Sequence, residues 1–234
     1  MLRAFNIHAS NYYDDRTFYT SDKLVLEENR VYCLVGCNGI GKSTLVNQII
    51  NDNDNCLSKT AWDMCQNYQW GDFRDLFDKE NKQENYNEFY FSADRHTRLG
   101  KSEDNYFEHE LFGSFQSTGE RNVYDFYPII STIKKTCKNL ADKKYYIFLD
   151  DLDVGTSIDI LQEYVLCIKA LEAELRKNNI IYNIIVTANA YELAKNFVCI
   201  DCTTLQEIRF SSYEDYADYI IKTRKFKNNR DGVK

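Results

Sequence analysis

Long apolar runs, positive charge, histidine and proline are all in short supply in this 234-residue sequence. The longest apolar stretches, such as residues 180–186, fall far short of the roughly 18 to 20 residues a bilayer requires, so no membrane insertion is expected. The opening Met1-Leu-Arg-Ala-Phe5 has no long apolar secretory core, and a cytoplasmic location is the expectation. Acidic residues outnumber basic ones 36 to 29, and the net charge of −7 argues against a protein whose main surface binds nucleic acid, because phosphate neutralisation needs a basic field. Histidine occurs three times, as His8, His96 and His109, so the second half of the chain has none. Proline occurs once, as Pro128. Cysteine is not scarce, but its eight copies are scattered and several sit inside apolar patterns, which reads as buried free thiols rather than a disulfide framework. The one close pair, Cys199-Ile-Asp-Cys202, has no second Cys/His pair nearby, whereas zinc usually takes four ligands.

What is present is concentrated in Gly36-Cys-Asn-Gly-Ile-Gly-Lys-Ser-Thr44. The run follows apolar Val31-Tyr-Cys-Leu-Val35 and precedes Leu45-Val-Asn-Gln-Ile-Ile50, so a buried strand leads in and a helix leads out. The spacing satisfies G-x-x-x-x-G-K-[ST] and reads as a phosphate-binding P-loop. Gly36, Gly39 and Gly41 allow backbone turns forbidden to residues with a Cβ, so successive N–H groups converge on phosphate oxygens. The new helix adds its positive end. Lys42 is expected to neutralise β and γ oxygens and Ser43 to place a hydroxyl on Mg²⁺; Asn38 and Thr44 complete the expected nucleotide-binding set. Cys37 lies within the loop near Lys42, surroundings that can activate a thiol; either its oxidation or alkylation blocks nucleotide binding or, the favoured reading, the position simply tolerates any small residue.

The length suits one large domain spanning 1–234, or a core with a modest subdomain. Residues 2–8 and 24–35 read as strands, the latter broken by a turn at Glu28-Asn29-Arg30. From about 51 to 110 the chain is rich in Asn, Asp, Lys and aromatics, with only Glu88–Ser92 reading as a strand; this is expected to be an inserted, partly helical subdomain reaching to about residue 120. An amphipathic helix is expected from Arg121 to about Leu140, carrying Val123, Phe126, Tyr127, Ile130 and Ile133, with Pro128 as a kink. Tyr145–Leu149 and Ile180–Thr187 read as buried strands, Ile158–Leu175 as a helix, Val198–Cys202 and Ile208–Phe210 as short strands, and Tyr213–Ile221 as a last helix. Helices alternating with apolar strands imply an α/β fold with a mostly parallel sheet flanked by helices. Residues 222–234 form a basic tail, expected to be frayed and solvated or else to contact nucleic acid or an acidic partner.

Two further motifs extend the phosphate loop. Ser117-Thr-Gly-Glu-Arg121 precedes a helix, and Tyr145-Tyr-Ile-Phe-Leu-Asp-Asp151 is an apolar run ending in two acids. In this order the three motifs resemble those of the ABC-type ATPase head: GCNGIGKST as Walker A, STGER as a variant of the LSGGQ-like signature, and YYIFLDD as Walker B. The resemblance runs from about Leu24 to Glu192 and is weakest over 51–110. Leu152-Asp-Val-Gly-Thr-Ser-Ile-Asp159 looks like the D-loop region of soluble SMC- and RecF-like, recombination and phage-defence heads. The absence of proline there points away from a transporter cassette.

The resemblance implies a nucleotide sandwich between two protomers, most simply a homodimer. Ser117, Gly119 and Glu120 of one protomer would close over ATP held by the Walker motifs of the other. Asp150 would bind Mg²⁺ and Asp151 would orient the attacking water. Two positions depart from the family. The general-base position, usually Glu, is Asp151, and the usual switch histidine is replaced by Asn189 or Ala188. Asparagine can hydrogen-bond to phosphate but carries no charge. Slow hydrolysis is therefore expected, with ATP binding acting as a long-lived switch. The glutamine that links Mg²⁺ to the helical subdomain is open among Gln66, Gln69, Gln83, Ser92 and Asp94, and the adenine-stacking aromatic among Tyr12, Tyr13, Phe18 and Tyr19. Arg95 and Arg98 sense phosphate or contact a partner, or belong to a solvated loop. The ATPase head uses up the chain, so a separately encoded effector such as a nuclease or toxin is expected as a partner. The competing readings are a transporter cassette paired with a membrane subunit, a small-molecule kinase, and a scaffold that binds ATP without hydrolysing it.

Overall fold

Strand β3, Arg30–Val35, is buried at every residue after Arg30, the continuous apolar pattern of a strand covered on both faces. The computed structural model describes residues 1–7, 19–50, 86–92, 118–139 and 144–232. The chain divides into two compact units, one formed by Met1–Tyr68 with Thr187–Lys234 and the other by Gln69–Val186.

In the first unit, β1 (Leu2–Asn6) pairs antiparallel with β2 (Lys23–Glu27), with Ala4 opposite Val25. This ribbon alternates: Phe5, Leu24 and Leu26 are buried while Leu2 and Val25 are exposed, as expected of a ribbon with one solvated face. Asn29, with φ of 61°, makes the turn from β2 into β3, a left-handed position that asparagine tolerates better than most residues. Helix α1 (Lys42–Ile50) follows β3 through the glycine loop. β7 (Val198–Asp201) lies parallel to β3, with Leu34 opposite Ile200, and β8 (Glu207–Ile208) lies antiparallel to β7.

In the second unit three parallel strands lie side by side: β4 (Tyr86–Ser92), β5 (Lys144–Asp150) and β6 (Ile181–Thr187). The crossovers are helices α2 (Thr118–Asn139) and α3 (Ile158–Lys177). Phe126, Ile130, Ile133 and Cys137 are buried on one face of α2, and Leu161, Tyr164, Val165, Ile168, Leu171 and Leu175 on one face of α3. The two faces meet at Phe126 and Tyr164, whose ring centroids are 4.5 Å apart. Each such side chain contributes about 1.5–3 kcal/mol through burial. Pro128 sits inside α2 as expected. Tyr127, expected on the apolar face, is exposed instead; its hydroxyl donates to Glu163 Oε2 at 3.0 Å, tying α2 to α3 by a polar contact.

The α/β class and the mostly parallel strand pairing are as the sequence implies. The last element differs. Between β6 and β7 the chain adds a single turn, α4 (Tyr191–Ala194), and after β8 it forms helix α5, Tyr213–Asp231. Residues 222–231, expected to fray, are the second half of this helix. Ser212 caps its start by accepting the Asp215 N–H at 3.2 Å, and Gly232 closes its end at φ of 68°. No helix among the described residues is long and apolar enough to cross a membrane.

Candidate functional site

The glycine loop takes the backbone path that its sequence requires. Gly36, Gly39 and Gly41 have φ of 144°, 74° and 121°, values that residues with a Cβ rarely adopt. A Cβ on Gly36 would also stand 2.9 Å from Ile40 Cγ2. The Leu45 N–H donates to Gly41 O at 2.8 Å, so Gly41 is the cap of α1. Lys42, Ser43 and Thr44 therefore occupy the first turn, whose N–H groups have no carbonyl of their own helix to bind. That turn is the positive end of the helix dipole.

Lys42 stands where the loop meets the helix and is only 6% exposed. Its ammonium donates to Gly36 O at 3.1 Å, to Cys37 O at 3.5 Å and to Asn189 Oδ1 at 2.6 Å. Burying a cation in this way is costly unless oxygens surround it, and the structure supplies a carbonyl cradle with a side-chain lid. Asn189, read from sequence as the switch position, is thus brought directly onto the phosphate-loop lysine. Its own carbonyl accepts the Tyr216 hydroxyl at 2.7 Å, which ties the segment after β6 to α5.

The loop is also held from outside. The Tyr19 hydroxyl donates to Gly41 O at 2.8 Å. Tyr19 is fully buried, and burial pushes its phenol well above the usual tyrosine range. A ring enclosed in this way has no face for adenine, so Tyr19 leaves the set of stacking candidates and becomes a support for the loop. Tyr12, Tyr13 and Phe18 lie outside the described residues. The Cys37 N–H donates to Thr223 Oγ1 at 3.0 Å, and the Cys37 side chain is buried, which shields the thiol.

Asp201, at the end of β7, gathers four donors. Its carboxylate accepts the Thr203 N–H and hydroxyl, the Thr204 hydroxyl and the Tyr219 hydroxyl, at 2.7, 2.8, 3.0 and 2.9 Å. Tyr219 also reaches Val35 O, one residue before the loop. The neighbouring Cys199 thiol donates to Ala194 O at 3.1 Å. Among the described residues no group of three or more His, Cys, Asp or Glu side chains is placed to hold a metal ion, so the Cys199 and Cys202 pair gains no such set there.

The two acids belong to the second unit. Asp150 is the last residue of β5 and is 2% exposed. Asp151 follows with φ of 55°, a left-handed backbone for a residue with a Cβ. The main-chain register places Ser92, one candidate for the Mg²⁺-linking position, opposite Asp150. Thr118 opens α2, so Gly119 and Glu120 lie in its first turn. Ser117, Gln66, Gln69, Gln83, Asp94, Arg95 and Arg98 lie outside the described residues.

What sequence reading missed in this site is the second half of helix α5, beyond the expected Tyr213–Ile221, and its contacts with the loop. Tyr216, Tyr219, Thr223 and Arg230 recur at helical spacing and all reach the loop or its neighbours. The Ser212-x-x-Asp215 start and Gly232 stop were available as signals.

No family model matches the chain, and no curated protein sequence matches it. Solved structures similar to it include the ATP-binding subunit of an ABC transporter, at TM-score 0.47 and 14% identity over 94% of this chain and 99% of that one. Another is cbiO1 from Clostridium perfringens, part of the ABC transporter complex cbiONQ, at TM-score 0.46 and 13% identity over 97% and 94%. A third is a nucleotide-free ATP-binding cassette from an ABC transporter, at 0.44 and 12% over 96% and 98%. At these scores and identities, the functional reading rests on the residues themselves.

Proposed function

We propose that this chain is an ABC-type ATPase head that binds Mg-ATP on the loop Gly36–Thr44. In this reading two protomers close on the nucleotide, hydrolysis is slow, and the closed state serves as a clamp or regulatory signal for a separately encoded effector, in DNA maintenance or anti-phage defence. The observation that carries the reading is the buried Lys42 ammonium at the start of α1, held by Gly36 O, Cys37 O and Asn189 Oδ1.

The proposed roles rest on the chemistry of each residue type. Lys42 supplies the positive charge that β and γ oxygens attract, and the first-turn N–H groups of α1 supply directional donors. Asn189 holds Lys42 through Oδ1, and an asparagine amide N–H₂ is a neutral donor of the kind a γ-phosphate accepts. Asp151 accepts a hydrogen bond from the attacking water and turns the oxygen lone pair toward phosphorus. The Ser43 hydroxyl and Asp150 carboxylate are hard oxygen ligands of the kind Mg²⁺ takes, and the ion, when bound, screens phosphate charge. Ser117 and Gly119 of the opposing protomer complete the site.

Slow turnover follows from two residues. Asp151 is one methylene shorter than the usual glutamate, and a catalytic group displaced by about 1 Å loses on the order of a hundredfold in rate. Asn189 cannot take the proton or charge that a histidine takes. Calorimetric titration with Mg-ATP tests the reading: saturable binding by the wild type and its loss in Lys42→Ala are expected. Wild-type protein that does not bind, or Lys42→Ala that binds equally well, would refute it.

A further inference from the structure

Helix α5 meets the phosphate loop in chain order. The Tyr219 hydroxyl lies 3.1 Å from Val35 O, Thr223 Oγ1 accepts the Cys37 N–H at 3.0 Å, and Arg230 donates through Nη1 to Ile40 O at 3.0 Å and through Nη2 to Gly39 O at 3.1 Å. The Lys227 stem fills the space beside Gly39, where a Cβ would stand 2.8 Å from Lys227 Cε. The Arg230 side chain is only 7% exposed, and its Nε donates to Asp231 Oδ1 at 2.7 Å. Lys227 pairs with the other Asp231 oxygen at 3.0 Å. Hydrogen bonds from Arg230 and then Lys227 lower the Asp231 carboxyl to about 2, so this counter-ion stays charged.

The contact has a directional consequence. In a trans peptide the C=O and the following N–H point in opposite directions. With Ile40 O turned onto Arg230, the Gly41 N–H is turned away from α5. The glycines on either side, Gly39 and Gly41, populate both signs of φ with little preference, so the loop peptides are easily reoriented unless an external donor holds them. Bidentate contact by a planar, always-charged guanidinium suits this role.

We propose that Arg230 is a positioning residue for the nucleotide, fixing the Gly39–Ile40 and Ile40–Gly41 peptides so that the loop N–H groups receive phosphate. The proposal rests on the nucleotide reading of the loop. It makes the basic end of α5 part of the binding machinery without placing it on the substrate.

The test compares full-length wild type, Arg230→Ala and Arg230→Lys, with Mg-ATP as the probe. It measures the Kd, the steady-state kcat and KM, and amide hydrogen exchange over 36–44 without ATP. Loss of two charge-assisted hydrogen bonds is expected to weaken binding about tenfold or more in Arg230→Ala. kcat at saturating ATP should stay within about twofold, because an interaction shared by ground and transition states acts on binding. Loop exchange should accelerate, and Arg230→Lys, a point donor with the same charge, should fall between. A purely structural role would lower the folded fraction and leave the Kd of the folded protein unchanged. Arg230→Ala with wild-type affinity and wild-type loop exchange would overturn the proposal while leaving the nucleotide reading intact. If Arg230→Ala does not fold, Arg230→Lys with wild-type Kd and exchange is the overturning result. If the wild type binds no Mg-ATP, the nucleotide role falls with that reading, and accelerated exchange would still show that Arg230 holds the loop.

Discussion

Replacing Asn189 with aspartate changes one atom on the lid over Lys42 and should turn a neutral latch into a lock. The Lys42 Nζ to Asn189 Oδ1 distance is 2.6 Å, and Lys42 is 6% exposed, so the new carboxylate would sit against the ammonium with little water between them. At an effective dielectric of about 20, opposite unit charges about 3 Å apart attract by roughly 5 kcal/mol before desolvation is subtracted. Desolvation of the carboxylate offsets much of this, and a net gain of about 1.5–3 kcal/mol over the present ammonium–amide bond is expected. The gain belongs to the nucleotide-free protein, and repulsion between the carboxylate and the γ-phosphate acts in the same direction. ATP affinity should therefore fall by about ten- to a hundredfold. Asn189→Ala is the control: it removes one acceptor from Lys42 and the proposed γ-phosphate donor but adds no charge, and leaves Gly36 O and Cys37 O in place, so the loss should stay within about tenfold and below that of Asn189→Asp. Titration calorimetry at fixed ionic strength, with helicity checked by circular dichroism, measures both. Asn189→Asp binding ATP as tightly as wild type, or no more weakly than Asn189→Ala, would refute the idea that the contact governs access to Lys42.

Other expectations concern rate and pH. Asp151→Glu restores the longer acid and should raise kcat by about tenfold or more; because Asp151 has φ of 55°, which glutamate tolerates less well, the melting temperature should drop slightly. Coupled-assay turnover no faster than wild type would show that side-chain reach is not the limit. Burial pushes the Tyr19 and Tyr219 phenols upward, and that of Tyr182 to about 12. Below about pH 10 neither folded nor unfolded protein ionises these groups, so they add no pH dependence there. Above it the unfolded chain releases protons that the folded chain retains, so stability is lost as pH rises. Absorbance at 295 nm recorded alongside melting temperature checks this: full tyrosine ionisation near pH 10 in still-folded protein would contradict it.

The parts of the fold that were legible in sequence are those where one physical signal dominates. Val31–Val35 and Tyr145–Leu149 are apolar on both faces, and Ile180–Val186 is so apart from Asn183, a pattern that a covered strand explains. The loop was legible because glycine positions and a lysine at fixed spacing have few other uses. Helix α5 was read too short because its second half carries Lys, Arg and Asn at most positions, and its buried face is made of hydroxyls and a guanidinium rather than apolar groups. Hydrophobic periodicity does not register such a face, since its partners are main-chain atoms of another segment. For the same reason Tyr19 read as one aromatic among several, although its hydroxyl contact with Gly41 O sets it apart.

Mass in solution, with and without Mg-ATP, tests the central claim most directly. Size-exclusion chromatography with light scattering on wild type, Asp151→Asn and Ser117→Arg should show a nucleotide-dependent dimer of the 27.6 kDa chain, persistent in Asp151→Asn and absent in Ser117→Arg. A monomer in all three proteins at saturating Mg-ATP, or a dimer indifferent to nucleotide and to Ser117, would contradict the two-protomer switch.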